Sequence, residues 1–89
     1  MPVFPSTQIR VTVNDIYNGD PVPSAAVKLR SEPTGESGDG VDAVTNVDGV
    51  ALFTVIRETP GVVFYTAEVW SGGVVVAVSR NRSEFTWIP

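Results

Sequence analysis

Apolar and polar residues alternate with a period of two along most of the chain. Ile9, Val11 and Val13 fall on one side of a first run, with Gln8, Arg10 and Thr12 on the other. That is the pattern of a strand with one buried and one wetted face. Val27 and Leu29, with Lys28 between them and Arg30 following, predict a second strand. Further on, Asp48-Gly49 stands between two β-branched and aromatic runs, TNV and VALFTV. Asp-Gly in that setting marks a tight turn, because glycine reaches positive φ without a Cβ clash. The expectation is a hairpin in which residues 41–45 pair with residues 50–56 and Ala51, Phe53 and Val55 share a face. Residues 62–70 predict a long strand with Tyr65, Ala67 and Val69 inward. Ser71-Gly72-Gly73 turns it back onto residues 74–80, and residues 84–88 are aromatic and β-branched enough for a last strand.

The interruptions carry as much information as the runs. Pro21 and Pro23 lack the N–H that a central ladder needs, so NGDPVP ends the first strand, and Glu58-Thr59-Pro60-Gly61 marks another turn. SEPTGESGDG, residues 31–40, holds only polar, glycine and proline residues. It offers little apolar area against an ordering cost of ~1 to 2 kcal/mol per residue, which predicts an exposed, mobile loop. No window of 11 or more residues has helical periodicity. The chain therefore reads as all-β, a single domain over residues 1–89 with about seven antiparallel strands at sandwich spacing and residues 1–6 as an N-terminal arm.

Composition narrows the chemistry. The chain has 89 residues, no cysteine, no histidine and a formal charge of −4. Surface scaling leaves about 5,000 Å² exposed of roughly 13,800 Å² in the extended chain, a thin core. Without cysteine or histidine the usual zinc, copper, iron–sulfur and haem ligand sets are lacking, and so are the commonest general base and the most reactive nucleophile. No cofactor, no metal and no catalytic residue are expected. The six basic residues, Arg10, Lys28, Arg30, Arg57, Arg80 and Arg82, form no cationic stripe, which argues against nucleic acid. Neither a signal peptide nor the ~20 apolar residues of a membrane span is present, so membrane insertion is not expected and the chain as written is expected to remain where it is made.

Two blocks resemble the bacterial immunoglobulin-like domains that recur in invasin- and intimin-type adhesins and in phage structural proteins. One is VTVNDIYNGDPVPSAAVKL; the other is TNVDGVALFTV followed by PGVVFYTAEV. Asp15, Gly19, Asp20, Pro21, Val22, Pro23, Thr45, Gly49, Ala51, Gly61, Tyr65, Ala67 and Val69 fill the family's turn and core positions. A weaker resemblance is to the carboxypeptidase-regulatory or prealbumin-like sandwiches. The first resemblance implies an immunoglobulin-like two-sheet sandwich and a structural role. It leads to the expectation of a non-enzymatic decoration or tail-accessory protein of a tailed-phage virion, made in the host cytoplasm. Its partners would be the major capsid or tail protein, a second copy of itself, and a host-surface glycan or protein. The alternative is an excised repeat of a bacterial surface adhesin, acting as a spacer or receptor-binding module at the cell surface.

The candidate attachment surface rests on uncovered apolar residues. VVVAVSR is apolar on both faces of its strand, and Phe64 and Trp70 point away from Tyr65, Ala67 and Val69. A two-layer sandwich covers one face of each sheet, so such residues mark association unless the C-terminal segment shields them. Val3, Phe4, Phe64, Trp70, Trp87 and Ile88 are the predicted partner-binding residues. Asp39, Asp42 and Asp48 lie close enough in sequence to flank a site, and together with Asp15 and Asp20 they are the carboxylates that raise calcium binding. No pattern supplies the 6 to 8 oxygens that calcium takes, and turn-making carboxylates are the plainer reading.

Overall fold

The computed structural model describes residues 6–56, 61–79 and 83–87, the last stretch by its backbone. Among them there is no helix. The strands are β1 (Ser6–Thr12), β2 (Ala26–Glu32), β3 (Asp42–Val44), β4 (Val50–Ile56), β5 (Gly61–Ser71), β6 (Val74–Val78) and β7 (Ser83–Trp87). They form two antiparallel sheets. β1 pairs with β4 from Ser6↔Ile56 to Thr12↔Val50, and the larger sheet runs β3-β2-β5-β6. β7 pairs with the first half of β5, Gly61 to Tyr65, and β6 pairs with the second half, Glu68 to Ser71. Because β2 takes the opposite edge of β5 from Phe64 to Trp70, β6 and β7 lie end to end along one edge. The larger sheet is thus four strands wide.

The alternation in the sequence sets which residues meet between the sheets. Ile9, Ala51, Phe53 and Val55 of the small sheet pack on Val27, Leu29, Val63, Tyr65 and Ala67 of the large one, with Val11, Val13 and Ala43 at the margin. The inward assignments of Ala51, Phe53 and Val55, and of Tyr65 and Ala67, agree with the structure. Val69 is half-buried.

Two expectations are corrected. The Asp48-Gly49 turn does not close a hairpin ladder: β3 pairs with β2 and β4 with β1, so the turn carries the chain from one sheet to the other. Asn46 Oδ1 accepts from the amides of Asp48 (2.9 Å) and Val50 (3.1 Å), and the Val50 carbonyl accepts from Asn46 N–H. Gly49 has φ +74, and a Cβ there would lie 2.6 Å from the Val13 carbonyl oxygen. Val13 N–H in turn donates to Gly49 O, so the turn is spliced to the end of β1 instead of to β3.

The second correction concerns residues 31–40. Ser31 belongs to β2 and is buried, and residues 36–40 are half-buried. Tyr65 Oη donates to the Ser37 carbonyl at 2.7 Å, Ser37 Oγ accepts from Ile56 N–H, and Gly40 N–H donates to Leu29 O. Gly38 lies directly on Val55, Leu29 and Tyr65. Glycine and backbone amides close this end of the core without any apolar side chain, a contribution that hydrophobic patterning does not register.

The folded chain exposes 5981 Å², about 900 Å² above the value expected for a compact domain of this mass. Its extents are 45 × 22 × 20 Å. A two-stranded sheet lies against a four-stranded one, and β6 is at the edge of the larger sheet, beyond β5.

Candidate functional site

The outer face of the large sheet, opposite the core, carries a charged ladder across β2 and β5. Arg30 Nε donates to Glu68 Oε1 at 2.9 Å, and the same oxygen accepts from Trp70 Nε1 at 3.2 Å. Lys28 Nζ sits 5.1 Å from the centre of the Trp70 ring and 3.7 Å from Asp42 Oδ1. Trp70 is therefore half-covered, held by a cation above its face and a carboxylate at its edge. Phe64 lies on the same face, half-buried, six residues along β5. At ~3.3 Å per residue the two aromatics are about 20 Å apart, with the charged ladder between them. The structure does not join them into one patch. Trp87 closes β7 opposite Gly61. Val3, Phe4 and Ile88 lie outside the described residues.

The apolar surface is instead concentrated on β6. Val74, Val76 and Val78 are each 58 % exposed and Val75 40 %. Every residue of the strand is open to solvent, on both faces of the sheet. Two features cause this. The turn at Gly72 and Gly73, with φ +61 and +81, folds β6 tightly onto β5, and the small sheet does not reach that far. The C-terminal strand β7 pairs with the other half of β5, so its backbone does not run beside β6. A register shift opposite Val69/Trp70 places one extra residue in the centre of β6.

A second exposed feature was missed by patterning. Asp15 Oδ1 accepts from the amides of Tyr17 (2.8 Å) and Asn18 (3.3 Å), and Asn18 Oδ1 from that of Asp20 (2.9 Å). This hydrogen-bonded turn lifts Ile16 and Tyr17 into water, Tyr17 to 95 %. The signal was Ile-Tyr set between turn-forming residues, where an apolar pair has no strand partner to cover it.

The inter-sheet space opens beside β1 into a groove of about 220 Å³ floored by Ile9, Leu29, Tyr65 and Ala67. Among the described residues, Arg10 and the Tyr65 phenol are the titratable groups of its lining. The five carboxylates considered for calcium do separate jobs: Asp15 and Asp20 belong to the turn that carries Tyr17. Asp39 accepts from the amides of Ser31 and Gly35, both at 2.9 Å, Asp42 faces Lys28, and Asp48 stands on the Asn46 turn. The Ser31 and Gly35 amides, aided by Arg30 and opposed by partial burial, hold the Asp39 carboxyl below the usual carboxylate range. Among the described residues no three metal-ligating side chains converge. No family model, curated protein or solved structure matches the chain.

Proposed function

We propose that this chain is a non-enzymatic docking module, an immunoglobulin-like sandwich that serves as a structural or decoration protein of a tailed-phage virion. The observation that carries the docking reading is β6, an uncharged strand with 40 to 58 % of each valine in water in a chain with so little core to spare. The virion setting rests on the resemblance of its turn and core residues to immunoglobulin-like domains of phage structural proteins. Burial of apolar area by a capsid or tail protein supplies the binding energy, and the acidic turns contribute at the solvated rim.

The test is co-sedimentation with particles followed by a high-salt wash. Apolar docking resists salt, whereas contacts between exposed charges are screened within a Debye length of ~3 Å at 1 M. The chain is expected to stay with the washed particles. Recovery in the soluble fraction, before or after the wash, overturns the reading.

A further inference from the structure

We infer that the open edge of β1 is a strand-addition site, which takes an extended segment of a different protein as the third strand of the small sheet. The site is separate from β6 and does not depend on the docking reading.

Among the described residues β1 pairs with β4 along one edge and with no strand along the other. The register fixes which groups the open edge presents. Val13 N–H donates to Gly49 O, and Val11, Ile9 and Thr7 follow in the same phase, with their amides and carbonyls turned to β4. The intervening Gln8, Arg10 and Thr12 therefore turn their N–H and C=O groups away from it. The far edge of β4 confirms the phase, since Val50 N–H donates to Asn46 Oδ1 and Ile56 N–H to Ser37 Oγ. Those side chains cap β4 at both ends; the outward groups of Gln8, Arg10 and Thr12 have no such cap among the described residues. Nor does β1 carry the usual guards of an edge. Its ladder has no bulge, and from Ser6 to Thr12 there is no proline and no inward-pointing charge.

The groove of about 220 Å³ adjoins this edge. Its lining includes no residue of β4 and includes Ser79, which bonds to Ala67 on the β6 side of β5. A row of outward amides and carbonyls selects an extended backbone, and a floor of Ile9, Leu29, Tyr65 and Ala67 selects apolar side chains at every second position. The volume falls below the ~300 Å³ at which small-molecule sites begin, and it holds a few aliphatic side chains. Arg10 stands exposed on the outer side of the edge without an ion-pair partner among the described residues, so an acidic residue opposite it completes the match.

The described edges of this chain do not supply that strand. β6 is uncharged and its pairing shifts register, β3 is three residues long with its Asp42 held by Lys28, and β4 is capped. Two copies of β1 would set their Arg10 side chains opposite or diagonal to each other, like charge against like. A foreign strand meets none of these obstacles.

The probe is a seven-residue peptide, the length of β1, with valine at alternate positions, threonine between them and glutamate at the centre. Adding it should slow amide exchange about tenfold at Gln8, Arg10 and Thr12, while Thr7, Ile9 and Val11, already bonded to β4, change little. The same peptide N-methylated at its threonine and glutamate residues keeps the side chains but loses the ladder bonds, and should leave exchange unchanged. Arg10→Glu, with an unaltered circular dichroism spectrum, should bind the glutamate peptide about fivefold more weakly, the scale of a cross-strand charge pair. Exchanging the peptide's glutamate for lysine should restore that binding. Unchanged exchange at Gln8, Arg10 and Thr12 with peptide in excess overturns the inference, as do equal slowing by the methylated peptide, slowing at residues 74–78 in place of 8–12, and equal affinity of Arg10→Glu for the two peptides. Slowing of the same three amides when the chain is concentrated without peptide would make the occupant a second copy and overturns it equally.

Discussion

Gly38 shows how a residue without a side chain holds a core. Its φ is +89, and a Cβ would meet Val55 Cγ1 at 2.6 Å and Leu29 Cδ2 at 3.1 Å. Gly38→Ala combines overpacking with a left-handed backbone that alanine resists, and should cost about 2 to 3 kcal/mol in denaturant unfolding. Phe53, 4 % exposed between the sheets, should lose roughly 3 to 5 kcal/mol on Phe53→Ala. The Phe53 position was legible from alternation alone, since period two leaves only two faces to choose between. The Gly38 position was not: its importance lies in what approaches it from Val55 and Leu29, far away in sequence. Asp39 adds a pH signature. Its folded-state pKa is lowered, so the stability it contributes is present above the ordinary carboxylate range near pH 4 and is lost as pH falls through the folded value. The melting-temperature gap between wild type and Asp39→Asn should be open at neutral pH and close below about pH 4. A gap that persists in acid would show that the two amide bonds do not depend on the charge.

Among the elements, the segment after β2 departs most from its sequence pattern. Hydrophobicity marks residues 31–40 as dispensable, yet Ser37 bonds to both Ile56 and Tyr65 and Gly40 extends the pairing of β2. Replacing residues 34–40 by a Gly-Ser linker should lower the thermal midpoint by on the order of 10 °C, the shift that ~2 kcal/mol produces in a domain of this size. An unchanged midpoint would return the segment to the status of a free loop. The Asn46–Gly49 turn teaches a related lesson. Asp48-Gly49 announces a chain reversal, but which strand each arm joins depends on Gly49 meeting Val13 and on buried Thr45, whose hydroxyl accepts from Ala25 N–H and donates to Val22 O. Those partners are 20 or more residues away, beyond the reach of local pattern. β6 is the contrasting case. Its valines are apolar on both faces in sequence and uncovered on both in structure, so Val75→Thr with Val78→Thr should change monomer stability by no more than about 0.5 kcal/mol.

For the whole molecule, an uneven pair of sheets is the feature with consequences. Two strands cannot cover four, and the shortfall appears as the groove beside β1 and as the bare strand at the far edge. The sequence disclosed the surplus of apolar residues; it did not disclose where they gather. Phe64 and Trp70 were the conspicuous aromatics, but Trp70 is held by Lys28 and Glu68. The valines, individually unremarkable, are contiguous. The central claim is that β6 is a surface made to be covered by protein. Amide hydrogen exchange across residues 74–78, measured on the free monomeric chain and on the chain in its particle-bound state, tests it most directly. Slowed exchange over residues 74–78 in the associated state, with the acidic turns at 14–21 and 46–49 unchanged, is the predicted result. Protection of those turns with β6 exchanging as fast as in the monomer would contradict it.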